Sequence, residues 1–200
     1  MKVKVGLITF MILLILKLSY AIEINYKPST FEIFNDGHAI RIKPTDEASK
    51  QNIVIYRNTK YLLKDVHIVI WDDKAPEIHF LHISANPSLG RRDKVDDVLV
   101  IAVKFSPEGK VNETLERIIK NLHRGIGIKE KVDKLNVGNL LPDKVVPFKE
   151  IQRDIRIPIP SSEALWLILQ NPLLVSPKQY KELKNLKLER FTNSPLEENN

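Results

Sequence analysis

Two histidines in neighbouring apolar segments are the residues of this chain best suited to chemistry. His67 lies in the segment at residues 61–71, and His79 lies in the segment at residues 77–84. Both segments are typical of β-strands, and a pair of them would present His67, Val69 and His79 on one face. An imidazole nitrogen can bind a metal ion, whereas a valine side chain cannot. The pattern therefore offers two possible metal ligands and one apolar residue on the same face.

Two carboxylates share that face and offer a way to complete the site. Because side chains alternate along a strand, Asp65 lies on the face of His67. Glu77 lies on the face of His79 for the same reason, whereas His82 points away. A catalytic zinc needs three protein ligands before its bound water ionises near neutral pH. Asp65 or Glu77 could be the third ligand; the alternative is two half-buried histidines that hydrogen-bond to Glu77, the backbone or water.

The first 21 residues have the composition of a cleaved signal peptide. Lys2 and Lys4 precede an apolar run over residues 6–16, and small residues follow near the end of the segment. A membrane anchor is the alternative, but eleven apolar residues before Lys17 are fewer than the roughly 20 that span a bilayer. We therefore expect residues 1–21 to be removed and the mature protein to be secreted, with no membrane attachment.

The charge and the cysteine count exclude several classes of function. Removal of the first 21 residues lowers the formal charge from +6 to +3, because three lysines and no acidic residue leave. A charge of that size is weak support for binding nucleic acid, which a secreted protein rarely meets. The chain has no cysteine. Catalysis by a thiol is therefore excluded, and stability must come from core packing without a disulfide.

Short β-rich segments dominate the chain, and two helices interrupt them. The predicted strands lie at residues 31–34, 38–42, 52–56, 61–71, 77–84, 98–105 and 163–169. Apolar residues at helical spacing predict one helix over residues 112–123, and a second is predicted over 177–186. With 200 residues and no internal repeat or linker, we expect one domain at 22–195 and a flexible tail at 196–200.

Asn112 allows two interpretations. It begins the only glycosylation sequon in the chain, and it also stands directly before a predicted helix. A glycan on Asn112 and a helix cap formed by Asn112 are equal alternatives at this point.

The second helix carries lysines at every third position, at Lys178, Lys181, Lys184 and Lys187. This spacing drifts slowly around a helix and produces an oblique basic stripe, which Glu182 interrupts. The stripe is interpreted as a solvated face; a binding site for a sulfated glycan is the alternative.

Eight short motifs between residues 31 and 195 occur in a recognisable order. They are the turn at 35–39, the strand segments at 61–67, 77–82 and 97–105, Asn139-Leu140-Leu141-Pro142, Ser162-Glu163 with Trp166, Val175-Ser176 with Gln179, and Asn193-Ser194-Pro195. Together they resemble the alpha-carbonic anhydrase family. The resemblance implies an α+β fold with a large, mainly antiparallel twisted β-sheet and peripheral helices. It also implies that His67 and His79 hold the first and third zinc-ligand positions, and that His38 holds the position of the proton shuttle.

The departures from the family pattern concern its chemistry. The second ligand position falls on Val69, and an alignment that instead matches Trp71 to the family's tryptophan places isoleucine at both of the first two ligand positions. Ile157 replaces the threonine whose hydroxyl stands beside the metal-bound water. The short connection between His67 and His79 lacks the acidic residue that orients this hydroxyl. The resemblance is also slight before Asn35, which indicates a truncated N-terminal region.

The resemblance and these departures together predict a secreted carbonic anhydrase-related protein that lacks catalytic zinc. We expect it to act as a non-catalytic binding or structural module with no cofactor, and to have an unknown protein or glycan partner or to self-associate through exposed sheet edges. The alternative is a zinc-dependent carbonic anhydrase that hydrates carbon dioxide at a rearranged site. A third outcome is a decayed product with no stable role. Without a metal-bound water, His38 would have no proton to move.

Overall fold

A single large sheet organises the domain. The computed structural model describes residues 22–87, 97–122, 125–154, 163–186 and 188, and within them eleven strands form this sheet. The strands are β1 (Ile22–Asn25), β2 (Ser29–Asn35), β3 (Ala39–Pro44), β4 (Ile53–Tyr56), β5 (Thr59–Val69), β6 (Glu77–Ser84), β7 (Val98–Ser106), β8 (Glu130–Leu135), β9 (Phe148–Asp154), β10 (Glu163–Leu169) and β11 (Leu173–Leu174).

The strand order places the histidine-bearing strands near the middle of the sheet. The main path runs β8-β2-β3-β5-β6-β7-β10-β9, and β1 joins the sheet through β4, which pairs with β5. β10 and β11 each run parallel to β7, while the other pairs are antiparallel. The expectation of a large, mainly antiparallel sheet is confirmed.

Among the described residues, three α-helices and one 3-10 helix lie beside the sheet. They are α1 (Asp46–Gln51), α2 (Glu113–Asn121), α3 (Pro177–Lys184) and the 3-10 helix Val137–Leu140. In α2, Leu115 and Ile118 are buried, as expected for an amphipathic helix. α3 begins with Pro177 in its first turn, where the missing N–H costs no hydrogen bond. None of the helices in the described part of the chain is long and apolar enough to cross a membrane.

The two faces of the sheet bury different cores. The larger core lies on one face and includes the alternate residues of the central strands, among them Ile40, Ile42, Val66, Ile68, Ile78, Phe80, Ile101 and Val103. The opposite face buries two smaller clusters. One consists of Leu81, Val98, Val100, Ala102, Ala164 and Trp166, and the other of Ala39, Val69 and Trp71. His67 and His79 belong to this second face, because they alternate with the residues of the larger core.

Several predicted features lie outside the described residues. They are the signal peptide at 1–21, the end of the first predicted helix at His123, the position of Ile157, Lys187, the motif at 193–195 and the tail at 196–200.

Candidate functional site

The strand register brings the two histidines together. His67 of β5 lies directly opposite His79 of β6. On the other side of β5, Arg41 of β3 lies opposite His67, and on the other side of β6, Ala102 of β7 lies opposite His79. Residues directly opposite one another in antiparallel strands project to the same face. Arg41, His67, His79 and Ala102 therefore form one row across four strands.

His79 is held in place from two sides. Its Nε2 lies 3.1 Å from Oε2 of Glu77, two residues earlier on the same strand. The edge of its ring meets Trp166 at 5.3 Å between ring centroids and an angle of 83°. Glu77 is only 1% exposed, so its carboxylate lies out of water. These contacts fix the orientation of the imidazole.

His67 is also buried, but its Nε2 lacks a hydrogen-bond partner. Its Nε2 lies 3.2 Å from Oδ2 of Asp65, yet the two atoms are not aligned for a hydrogen bond, and Nε2 has no hydrogen-bond partner. Burial lowers the pKa of His67 below its ordinary value; Asp65 opposes this shift, while the Arg41 charge and His79 add to it. His67 is therefore neutral at neutral pH.

Asp65 is engaged by Arg41. The guanidinium donates to Oδ2 of Asp65 from Nε at 3.0 Å and also from Nη2. Its Nη1 donates to Oδ2 of Asp36 at 3.2 Å. Burial alone would raise the pKa of Asp65, but its contacts with His67 and Arg41 outweigh this effect and lower it. Because His67 is neutral at neutral pH, Arg41 is the cation that keeps Asp65 ionised there.

The position two residues after His67 on the same face of β5 is apolar. Val69 lies opposite Ala39 on β3 and opposite Glu77 on β6, and it packs with Ala39 and Trp71. Asp65 and Glu77 contact Arg41 and His79, respectively, and do not converge on a common point with the two histidines. Within the described residues, no group of three histidine, cysteine or carboxylate side chains is placed to hold a metal ion. The side chains present do not fit a catalytic zinc.

His38 lies at the turn before β3. The backbone N–H groups of His38 and Ala39 donate to Oδ1 of Asp36 at 2.9 and 2.8 Å, and Gly37 has a positive φ of 96° that suits glycine. The His38 side chain is exposed. It therefore stands at the surface end of β3, directly before Ala39, the residue that lies opposite Val69. Asp36 links this turn to Arg41.

His82 belongs to the opposite face. Its Nε2 lies 2.6 Å from the hydroxyl of Tyr26, and its Nδ1 lies 3.2 Å from the carbonyl oxygen of Leu99. Burial lowers the pKa of His82 to about 4. His82 is thus a buried, neutral core residue with partners for both ring nitrogens.

Arg41 is the site residue that sequence reasoning missed. The segment Ile40-Arg41-Ile42 places one charged residue between two buried isoleucines. The available indication was an arginine within an apolar strand, on the sheet face that carries His67 of the neighbouring strand. Its partner Asp65 was considered only as a metal ligand or as a residue orienting a histidine.

The structure assigns Asn112 a capping role. Its Oδ1 accepts a hydrogen bond from the N–H of Leu115 at 3.0 Å, and its Nδ2 donates to the carbonyl oxygen of Asn139 at 2.7 Å. The sequon hydroxyl, Oγ1 of Thr114, accepts from Nδ2 of Asn139 at 3.2 Å, and Thr114 is 5% exposed. A glycan on Nδ2 would compete with the bond to Asn139, so the geometry favours the cap over the glycan.

The predicted lysine stripe is not a continuous basic surface. Nζ of Lys184 donates to the carbonyl oxygens of Trp71, Asp72 and Lys74 at 3.0, 3.3 and 2.9 Å. Lys178 lies 3.8 Å from Glu182 in an i,i+4 pair. One positive charge of the stripe is therefore directed into the β5–β6 connection, and a second is paired.

Comparison with known proteins agrees with this architecture. The family model of the eukaryotic-type carbonic anhydrases matches residues 15–200. A carbonic anhydrase of Neisseria gonorrhoeae is 25% identical over 187 residues, which cover 90% of this chain but only 66% of that protein's length. The chain thus spans slightly less than two thirds of this relative.

Solved structures show the same fold. The alpha-carbonic anhydrase of Thermovibrio ammonificans, solved with the inhibitor sulfanilamide, superposes with a TM-score of 0.70 at 20% identity, covering 88% of this chain and 75% of the other. The alpha-carbonic anhydrase of Photobacterium profundum gives a TM-score of 0.69 at 20% identity, covering 88% and 78%. With the family model matched over most of the sequence, the chain belongs to the eukaryotic-type carbonic anhydrase family.

Proposed function

We propose that this chain is a carbonic anhydrase-related module without catalytic zinc, and that it acts by binding rather than by hydrating carbon dioxide. The observation that carries the proposal is Val69, which lies two residues after His67 on the same strand, opposite Glu77, and packs with Ala39 and Trp71. Zinc activates water in this kind of site only when three protein ligands hold it. Two imidazoles, one of them oriented by Glu77, are too few.

The nearby carboxylates do not restore the missing ligand. Asp65 holds Arg41 through Oδ2, and its free Oδ1 does not converge with both histidines on one point among the described residues. Glu77 would have to release His79, and that contact is the one that orients this imidazole. A metal at Glu77 would therefore break an existing buried contact and leave a partner unsatisfied.

The sequence supports the proposed binding role and location. A signal peptide at 1–21 would deliver the chain to the extracellular medium, where a protein or glycan partner or a second copy would meet the sheet edges. The mature charge of +3 favours neither nucleic acid nor a membrane as partner.

Metal content and hydration activity test the proposal directly. The mature protein is dialysed against a zinc-containing buffer and then a metal-free one, its zinc is measured by atomic emission, and its carbon dioxide hydration is followed by stopped flow. We expect far less than one zinc per chain and no hydration above the uncatalysed rate. About one zinc per chain with measurable hydration would overturn the proposal.

One observation favours the alternative, a zinc-dependent carbonic anhydrase with a rearranged site. Nε2 of His67 and Oδ1 of Asp65 are buried without hydrogen-bond partners, and such atoms in native proteins call for a ligand or a water. A side-chain rearrangement around His67 that let a metal bind would satisfy both. The same measurement decides between the two functions.

A further inference from the structure

A fixed positive charge stands beside the two histidines. Arg41 lies opposite His67 in the β3–β5 register, in the row that continues to His79. Its side chain is 19% exposed and is held by carboxylates on both sides, Asp65 within the sheet and Asp36 at the surface turn. A guanidinium does not lose its proton at any pH at which the protein folds. The charge is therefore permanent.

The guanidinium and His67 meet at one oxygen atom. Oδ2 of Asp65 accepts from Nε of Arg41 at 3.0 Å and lies 3.2 Å from Nε2 of His67. These two consecutive contacts place the cation within about 6 Å of that nitrogen. A divalent ion bound to His67 would therefore meet the carboxylate of Asp65 first, with the guanidinium directly behind it, and both charges act strongly on an ion in a site shielded from water.

The guanidinium cancels most of the attraction that Asp65 would exert on such an ion, because the two opposite charges are paired. In the absence of Arg41, an ionised Asp65 beside His67 would favour a bound cation and would help to orient the imidazole. With Arg41 present, the Asp65–Arg41 pair has no net charge to contribute.

We propose that Arg41 is a resident cation that keeps divalent metals out of the two-histidine site, independently of the valine at position 69. The proposal rests on the proposed function, in which the native chain holds no catalytic zinc. It makes Arg41 a specificity-determining residue, and it predicts that restoring the third ligand is not sufficient to restore tight metal binding.

The test compares zinc affinities of variants that all carry V69H. Affinity is measured by competition with a chromophoric chelator, and the rise in melting temperature on adding zinc is a second readout. We expect V69H alone to gain weak binding and V69H/R41Q to bind about tenfold more tightly or better. V69H/R41K keeps the charge and should stay weak.

V69H/K43Q is the matched control. Lys43 lies two residues from Arg41 on β3, on the same face, and is exposed, so its removal takes away one charge without touching the histidines. We expect its affinity to equal that of V69H. If R41Q leaves Asp65 unpaired and unfolds the chain, V69H/D65N is the second test: it leaves the charge of Arg41 without the carboxylate of Asp65 and should bind zinc more weakly than V69H.

The outcomes separate this inference from the proposed function. One zinc bound by the wild-type chain would overturn the proposed function. Tight zinc binding by V69H alone, with no further gain from R41Q, would overturn the inference and leave the proposed function standing. A folded V69H/R41Q protein that binds no better than V69H would also overturn the inference, and so, where that variant does not fold, would a V69H/D65N protein that binds as well as V69H.

Discussion

The hydroxyl of Tyr26 lies 2.6 Å from Nε2 of His82. Tyr26 follows β1, the first described strand, whereas His82 lies in β6 near the centre of the sheet. The tyrosine ring also stacks on His82 and on Phe80, with centroid distances of 5.9 and 5.8 Å. This contact joins the segment around β1 to the central strands, and it gives the buried imidazole its second partner beside the carbonyl oxygen of Leu99.

Burial of His82 predicts that acid destabilises the domain. Its pKa is about 4 in the folded protein and near 6.5 when unfolded. Between these values the unfolded chain binds more protons, so the stability that His82 contributes is complete above pH 6.5 and is lost as the pH falls toward 4. The loss amounts to about 3 kcal/mol. Urea unfolding at several pH values measures it.

Two variants isolate the contribution of His82. H82Q keeps hydrogen-bonding atoms but does not titrate, so its stability should fall less between pH 6.5 and 4. His67 also has a lowered pKa, so part of the acid sensitivity should remain. H38Q alters an exposed histidine and serves as the control for the loss of one imidazole. An H82Q profile identical to that of the wild type would contradict the assignment.

Lys184 should stabilise the connection between β5 and β6. Its ammonium donates to the carbonyl oxygens of Trp71, Asp72 and Lys74, and hydrogen bonds from a charged donor are worth more than neutral ones. We expect K184M to lower the free energy of unfolding by about 2 kcal/mol. Amide hydrogen exchange at residues 72–75 should become faster. K181M, at an exposed lysine of the same helix, should change stability by less than about 0.5 kcal/mol.

The cap at Asn112 can be separated from any effect of a glycan. N112A and N112D both destroy the sequon, so a difference between them does not involve glycosylation. N112D keeps an acceptor for the N–H of Leu115 and places a negative charge at the start of α2, whereas N112A loses the acceptor. We expect N112A to be less stable than N112D by about 1 kcal/mol in denaturant unfolding. Equal stabilities would argue against the cap.

The strands that carry the histidines were predictable because their sequences are regular. Residues 77–84 and 163–169 were predicted with the bounds that the structure gives, since aliphatic and aromatic residues predominate in both. The alternation along residues 61–71 also placed His67 and His79 on one face, as the register of β5 and β6 does. Local pattern determines which face a side chain takes.

The elements that were missed carry weak local patterns. Four of the six residues of β8 are charged, at Glu130, Lys131, Asp133 and Lys134, and β9 alternates poorly. Both are edge strands whose place depends on pairing with β2 and β10, which sequence does not reveal. β1 and α1 have four and six residues, too few for periodicity to be recognised.

The contact between Arg41 and Asp65 is also not a local property. These residues are 24 positions apart and meet because β3 pairs with β5. Predicting their ion pair requires the strand order as well as the face of each strand. The sequence indicates which residues point toward the site, whereas the sheet decides which of them meet.

The last prediction concerns self-association, which we expected at the sheet edges. β9 ends the main path of the sheet, and among the described strands it pairs with β10 alone. In a two-fold antiparallel pair of identical strands, a residue that lies a given number of positions before the axis faces the residue that lies the same number of positions after it in the other copy. Hydrogen-bonded and non-hydrogen-bonded residue pairs alternate along antiparallel strands. The two-fold axis must therefore pass through the midpoint of one pair, in which a residue faces the same residue of the other copy. Centring the pair on Ile151 places Lys149 opposite Arg153.

Centring it instead on Gln152 places Glu150 opposite Asp154. Like charges directly opposite destabilise a strand pair, so we expect wild-type β9 not to pair with a second copy of itself. R153E turns the first register into one with opposite charges and should promote concentration-dependent association in sedimentation velocity. The charge-swapped control K149E/R153E again sets like charges opposite and should sediment as the wild type does. Equal association of the single and double variants would mean that charge does not govern this edge.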